Sequence, residues 1–401
     1  MIYFLLPGNS PNLFKNINYI DSHVPPDPFI SNSLSNYLYD IKEKINEYPN
    51  EWDVFKRYTN PFEYIHTAIP IKRKCISKYK PLSRSYFKMI EIITFFHLLE
   101  SYQPLKPIKT FHLAEGPGGF IEAIANMRKQ PNDEYVGMTI LDEDITSSNI
   151  PAWKKSVNFL RENPNVCIET GKDGTGDILS IENFKYCSAK YKSSIELITA
   201  DGGFDFSVDF NNQEVHIAKL LFAQMAFALC MQKRGGSFVL KVFDCFMLHT
   251  LDILSILSSF YGKTYITKPQ TSRYANSEKY VVCKDFLFDN CDSFYPFLYN
   301  TFEKMIKETA IGEELSIYRF LTIPLSCCFI SRMEEFNAIF GQQQIENIHY
   351  TISLIENKHK NEKTDNLIKI NMQKCINWCI KYNVQFNNIV ANNQNAFLQT
   401  P

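Results

Sequence analysis

Four ionisable side chains stand where an apolar strand or a glycine turn would ordinarily exclude charge. Lys88 lies inside the apolar helix start of SRSYFKMIEI (83–92), and Asp201 ends a strand-like run in ITADGGFD (198–205). Lys241 sits inside SFVLKVFD (237–244), and Glu278 precedes the apolar end of KPQTSRYANSEKYVVC (268–283). Two amines and two carboxylates sum to zero charge, a set that an interior can hold. A lysine amine held between carboxylates can orient a hydroxyl or take its proton, provided its surroundings disfavour the ammonium. Each residue also has a plainer reading. Lys88 could snorkel to the surface, Asp201 could cap the turn it opens, and Glu278 could be a strand-edge charge. Lys241 is hardest to dismiss, because a lysine among Phe238, Val239, Leu240, Val242 and Phe243 is costly to bury unpaired; a lone ion pair is its plain alternative.

A fifth stretch, FHLAEGPGGF (111–120), ends an apolar run in Glu115, Gly116, Pro117, Gly118 and Gly119. Its glycines allow a tight turn and let a ligand touch the main chain. The pattern is GPGG rather than GxGxxG, and Pro117 has no N–H to offer a phosphate. That favours a ligand packing on the loop, such as S-adenosyl-L-methionine, over a dinucleotide; another nucleotide or a purely structural turn stays open. A dehydrogenase would want GxGxxG with an acidic residue about 20 positions on. Asp142 and Glu143 lie roughly there, but the loop pattern fails.

The elements that must position these residues alternate over 81–290. Strands are expected at 109–114, 135–140, 166–169, 195–200, 237–242 and 279–283, with helices at 119–128, 151–162, 214–233 and 248–260. Such alternation implies an α/β fold with a mostly parallel sheet covered on both faces. The strand cores ELITA and SFVLKV are nearly all apolar, as doubly covered strands should be. In a sheet of this kind, strand ends converge on one crevice, so Asp201, Lys241 and Glu278 could meet there. Residues 1–80 form an N-terminal extension, with a polar helix and a second segment in DIKEKINEYPNEWDVFKRY (40–58) and a first strand in MIYFLLPG. Residues 291–401 form a helical C-terminal extension whose last stretch, NNIVANNQNAFLQTP, is expected to fray.

The 401 residues are 45% hydrophobic with a formal net charge of −1, so no global basic field advertises nucleic acid. Charge is local instead. Seven basic residues and no acidic one lie between Ile71 and Lys88: Lys72, Arg73, Lys74, Lys78, Lys80, Arg84 and Lys88. The run reads as a solvated surface or, beside the four buried charges, as a phosphate-binding wall. Tyr79, Tyr86 and Phe87 interleave with it and could stack on bases. Eleven cysteines contain no CxxC pair, which favours reduced, buried thiols over a zinc site or disulfides. No apolar run of about 20 residues occurs, so no membrane span and an intracellular location are expected.

Taken together, these stretches resemble the FtsJ-like (RrmJ-type) ribose 2′-O-methyltransferases, with their Lys-Asp-Lys-Glu tetrad. SRSYFKMIEI is similar to the stretch carrying their first lysine, and AEGPGGF to their S-adenosylmethionine loop. The likeness is stronger to the eukaryotic and viral mRNA cap-1 2′-O-methyltransferases. Their DGxGDI, ADGGF, GGxFxxKxFD and KPxxSRxANSExYVVC stretches stand here as DGTGDI (173–178), ADGGF (200–204), GGSFVLKVFD (235–244) and KPQTSRYANSEKYVVC (268–283). The flanks match nothing in that pattern.

The resemblance implies a Rossmann-like class I methyltransferase sheet, mostly parallel with an antiparallel last strand and helices on both faces. It implies a tetrad of Lys88, Asp201, Lys241 and Glu278, with Lys241 as base or orienter of the 2′-OH. Ser83, the turn from Ala114 through Glu115, Gly116, Pro117 and Gly118 to Gly119, and Asp177 with Ile178 would hold S-adenosyl-L-methionine. Asn276 with Arg273 and Ser277 beside it, and one of Asn211 or Asn212, would touch RNA, alongside Lys72, Arg73, Lys74 and Arg84 from the basic run. Glu115 departs from the family, which has a small or neutral residue there; it would contact the ligand's amino end or cap the following helix. No metal is implied. The expected substrate is 5′-capped mRNA methylated at its first transcribed nucleotide, with capping-apparatus proteins as partners. Ribosomal or transfer RNA, or a silent cofactor- or RNA-binding subunit, are the rival readings. The Asn, Ile, Lys and Phe bias fits an AT-rich genome, such as that of a large DNA virus or a protist. Location would be cytoplasm or virion in a viral case and nucleus in a cellular one.

Overall fold

The computed structural model describes residues 1–70, 72–100, 102, 106–141, 152–203, 211–310, 316–359 and 361–388. Asp142, Glu143, Pro151, Phe204 and the tail from residue 389 lie outside these.

The strands are β1 (Tyr3–Leu5), β2 (Ile17–Ser22), β3 (Lys109–Leu113), β4 (Glu134–Met138), β5 (Val166–Glu169), β6 (Ile195–Ala200), β7 (Gln232–Val242), β8 (Tyr261–Thr267), β9 (Lys279–Phe286) and β10 (Ser316–Leu321). The helices of the first half are α1 (Asn32–Glu43), α2 (Trp52–Thr59), α3 (Ser85–Phe96), α4 (Gly119–Arg128), α5 (Val157–Glu162) and α6 (Ile181–Lys190). The second half adds α7 (Gln213–His216), α8 (Ala218–Met231), α9 (Leu248–Phe260), α10 (Tyr295–Ala310), α11 (Cys327–Glu356) and α12 (Asn361–Lys381).

The main sheet runs in the order β1-β8-β9-β7-β6-β3-β4-β5. Neighbours from β7 through β5 are parallel, while β9 is antiparallel to both β7 and β8, and β1 closes the edge antiparallel to β8. The antiparallel strand is therefore flanked on both sides rather than lying at the edge. Helices cover both faces. One core gathers α6, α8, α9, α10 and the start of α11; the other gathers α3, α4, α5 and α12. Both faces of the central strands are thus dry. Phe111, Leu113, Leu197, Ile198, Val239 and Leu240 are wholly buried, which is why their sequence runs are continuous rather than alternating. No helix among the described residues is long and apolar enough to cross a membrane.

Two segments from the flanks join this frame. β2 pairs antiparallel with β10 as a separate two-stranded sheet. At the other end, Asn387 donates its N–H to the carbonyl of Ile76 at 2.8 Å, so the first residue of the expected frayed tail is held.

Two fully buried histidines make the fold acid-sensitive. His112 in β3 shares hydrogen bonds with Thr110 and Thr199, both 2.7 Å, and His249 in α9 lies 3.3 Å from the carbonyl of Glu214. Burial lowers their pKa values to about 3 and about 4. Both stay neutral in the fold but become protonated near pH 6.5 once unfolded. The stability they contribute is present above pH 6.5 and is lost as pH falls towards the folded values. At pH 5 the cost is about 2 kcal/mol per histidine. His112→Asn should lessen the fall in stability between pH 8 and pH 5, measured by urea unfolding, by about 2 kcal/mol; a pH-independent difference between the two proteins would refute the assignment.

Candidate active site

In the sheet order β5-β4-β3-β6-β7, the chain runs outward in one direction from β3 and in the other from β6. A crevice opens at the carboxyl ends of two such strands. Ala114 and Glu115 follow β3 directly, and Asp201 follows β6. Lys241 lies one residue from the end of β7, and Glu278 one residue before the antiparallel β9, which brings its start to the same rim. Lys88 comes from the first turns of α3. Topology alone brings the four charges to one place.

They meet as two ion pairs. Nζ of Lys88 lies 2.7 and 2.8 Å from the two carboxylate oxygens of Glu278. Nζ of Lys241 donates to the carbonyl oxygen of Asp201 at 2.6 Å and lies 3.2 Å from its carboxylate. Tyr280, on the same face of β9 as Glu278, donates its hydroxyl to Asp201 at 3.2 Å. Burial by itself would raise the Glu278 pKa, but Lys88, Lys241 and Lys268 outweigh it and hold the carboxyl well below its usual range. Burial lowers the pKa of Lys88, with Glu278 opposing.

The glycine turn lies against the start of α3. A Cβ on Gly119 would collide with the hydroxyls of Ser83 and Ser85, which bond to each other. Gly118 has φ +106°, a conformation that suits glycine, and caps α4. Glu115 settles one alternative: its Oε1 accepts the N–H groups of Phe120 at 2.6 Å and Ile121 at 3.2 Å, so it caps α4. Its Oε2 is buried with no hydrogen-bond partner. Burial, then the nearby Asp201, push its pKa well above the usual carboxylate range. At the end of the neighbouring β4, a Cβ on Gly176 would strike the carbonyl oxygen of Thr139, so the DGTGDI turn packs tightly there. Asp177 in that turn accepts the N–H of Leu179 at 2.8 Å, and Ile178 is buried.

The expected RNA-side residues divide. Arg273, Asn276 and Ser277 line a cavity of about 740 Å³ that Lys241 also lines. Arg273 is held by a two-pronged contact to Glu63, at 2.6 and 2.9 Å, and Ser277 donates to Gln213 at 2.6 Å. Arg84 donates to the carbonyl of Thr271 at 3.2 Å and sits near Arg273 and Glu278. Asn211 donates to Glu43 at 2.6 Å, while Asn212 precedes α7; neither lines that cavity. Lys72, Arg73 and Lys74 are exposed on a turn whose N–H groups at 72 and 73 return to the carbonyl of Ile69, and they do not line the cavity either. Tyr86 and Phe87 do not serve for stacking: both are buried in the core, because α3 turns that face inward.

Sequence reasoning missed several supporting residues. Lys268 is fully buried and donates to the carbonyls of Asn276 and Glu278 and to Oδ1 of Asn276, between 2.6 and 2.8 Å. It pins the whole loop that carries Glu278. Asp244 receives Lys42 at 2.9 Å and Lys279 at 3.2 Å. The charge ending the apolar run SFVLKVFD was its available signal; Glu63 and Lys42 gave none.

Comparison with known proteins gives the family. The model of the FtsJ-like methyltransferases matches residues 81–286. Cap-specific mRNA (nucleoside-2′-O-)-methyltransferase 2 of Pongo abelii is 27% identical over 372 residues, covering 83% of this chain and 44% of that protein. Cap-specific mRNA (nucleoside-2′-O-)-methyltransferase 1 of Trypanosoma brucei brucei is 34% identical over 176 residues, 43% of this chain and 45% of that protein. The enzyme of the same name from Dictyostelium discoideum is 31% identical over 264 residues, 60% of this chain and 32% of that protein. The chain spans less than half the length of each of these relatives, all of them cellular. With a switch-point crevice, a glycine turn at β3 and a family match over more than half of its length, this chain belongs to the FtsJ-like methyltransferases.

Proposed function

We propose that this protein methylates a ribose 2′-OH near the 5′ end of capped mRNA, at the first transcribed nucleotide, with S-adenosyl-L-methionine as methyl donor. The observation that carries this reading is the two largely desolvated ion pairs, Lys88–Glu278 and Lys241–Asp201, meeting at the crevice beside the glycine turn. The names of the relatives support the choice of capped RNA.

The residues present fit such a donor. Three of the four residues from Gly116 to Gly119 are glycines, Asp177 stands in the turn that packs on Thr139 just past β4, and Glu115 Oε2 is a buried oxygen lacking a partner at the glycine turn itself. Ser83, the turn, Asp177 and Ile178 would hold it, with Glu115 Oε2 available to its amino end. When bound, S-adenosyl-L-methionine supplies a methyl group already activated by its sulfonium.

The chain's own task is to place the ribose hydroxyl and remove its proton as the oxygen takes the methyl group. Two of the three substituent directions on the Lys241 amine are committed to Asp201, which leaves the third for the hydroxyl. Tyr280 fixes Asp201, Lys268 fixes the Glu278 loop, and Lys88 neutralises Glu278 on the far side.

Gly118→Val tests the cofactor side. A branched side chain at φ +106° is strained, and it would grow from a Cβ already in contact with Leu82 and Trp153. Affinity for S-adenosyl-L-methionine should fall at least tenfold (about 1.4 kcal/mol) while RNA binding persists; unchanged affinity in calorimetry would remove the turn from the site. The function itself is tested with radiolabelled S-adenosyl-L-methionine and RNA bearing an m7G cap, an unmethylated cap or no cap, followed by mapping of the labelled ribose. Label on the first transcribed nucleotide of capped RNA is expected. Equal labelling of uncapped RNA, or label at internal riboses, would overturn the assignment.

A further inference from the structure

The cavity beside Lys241 is not built by the family-matched segment alone. Its lining combines the 273–277 loop, Gly203 and Phe243 with residues of α1, α2 and the turn between them, and with Gln344 of α11. Trp52, the first residue of α2, lines it. Trp52 is half-buried and packs against the cluster of Leu38, Ile41, Ile45, Phe246 and Ile348, so its ring is held rather than loose.

Charge around the cavity is unevenly shared. Lys42 and Lys279 share the single carboxylate of Asp244, and Arg273 and Arg84 lie about the single carboxylate of Glu63. Among the described side chains that line the cavity, Lys42, Lys56, Lys241 and Arg273 are cationic, whereas Asp53, paired with Lys56, is the anionic one. Asn46, Asn276 and Gln344 add amide groups able to donate to and accept from a base edge. A held aromatic ring in one cavity with cations and amides is what a nucleotide of a single strand requires. The volume of about 740 Å³ lies within the ordinary range for ligand sites.

We propose that this N-terminal wall is part of the RNA site, and that Trp52 stacks on the base of the nucleotide whose ribose faces Lys241. The inference rests on the reading of the protein as an RNA ribose methyltransferase and adds the residue that grips the target base. It also gives the N-terminal segment a role in substrate binding beside that of Arg273, Asn276 and Ser277 from the family-matched residues 81–286.

The test titrates full-length protein with a short m7G-capped oligoribonucleotide while tryptophan emission is followed. Trp153 and Trp378 are buried, at 8% and 3% exposure, so quenching should come mainly from Trp52. Trp52→Phe should lose most of the quench and, keeping an aromatic face, should raise the KM for RNA by less than Trp52→Ala does. Trp52→Ala should raise the KM for RNA roughly tenfold, the loss of one base stack, with affinity for S-adenosyl-L-methionine unchanged. Calorimetry with S-adenosyl-L-methionine reports whether the alanine variant is folded; should it not be, the phenylalanine variant and its quench decide. A wild type that methylates RNA while Trp52→Ala shows the same KM, or Trp52→Phe the same quench, overturns the stacking role alone. A wild type that binds and methylates no RNA overturns the proposed function, and this inference with it.

Discussion

Lys241→Ala is expected to lower kcat for methyl transfer by roughly 10²–10⁴-fold, the range for removal of a positioned acid–base group. Affinity for S-adenosyl-L-methionine should stay within about twofold (~0.4 kcal/mol) of wild type. The separation follows from the geometry. Lys241 reaches Asp201 and the cavity, whereas the glycine turn stands at the end of β3, two strands away in the sheet. Asp201 does not lose its place, because Tyr280 still donates to it. Single-turnover rates and calorimetry of the same variant decide the matter. Weakened cofactor binding with residual turnover would move Lys241 from the hydroxyl to the donor side of the crevice.

Glu278→Ala should be costly in a different quantity. It leaves the Lys88 amine, on a side chain only 7% exposed, without its directly paired carboxylate and close to Arg84, with Asp201 alone of the tetrad carboxylates to oppose the charge. Breaking one partner of a buried pair costs about 3–5 kcal/mol. Urea unfolding should show a loss of that size together with loss of methyl transfer. The double variant Lys88→Met/Glu278→Gln removes both charges and should recover most of the stability while remaining inactive. If the single variant is as stable as wild type, Lys88 is reaching water and the pair is not the buried unit described here. If the double variant methylates RNA, the pair is structural only.

Much of the frame could be read from residue order because parallel strands buried on both faces announce themselves. The runs at β5 and β6 have the expected limits, and so do α4 and α9. β8 escaped notice: YGKTYIT carries polar residues on its partly exposed positions and follows α9 with no turn residue between Phe260 and Tyr261. The expected helix over 214–233 divides into α7 and α8, and its last two residues begin β7 instead, since Gln232 pairs with Ile195 of β6 rather than continuing the apolar face. The tetrad was legible because each charge interrupts an apolar or glycine-rich pattern. Trp52, Lys42 and Glu63 were not, since each belongs to an ordinary amphipathic or irregular stretch. Their importance comes from which distant segment they touch, and local pattern carries no record of that. Phe87 misled for the opposite reason: an aromatic next to basic residues looks available until α3 turns it inward.

The pairing of β2 with β10 has a consequence for the order in which the molecule can be made. These strands are separated by roughly 300 residues of chain, a separation that makes closure slow. At ribosomal speeds of about 5–20 residues per second, β2 leaves the tunnel roughly 15–60 s before its partner exists. The helices α1 and α2 wait as well, for they pack against α11, which follows β10. The central sheet can close first, with the glycine turn and the four charges in place. The wall that faces Lys241 is then the last part of the crevice to arrive, and during synthesis the early strand keeps an unpaired edge that a chaperone or a neighbouring nascent chain could engage.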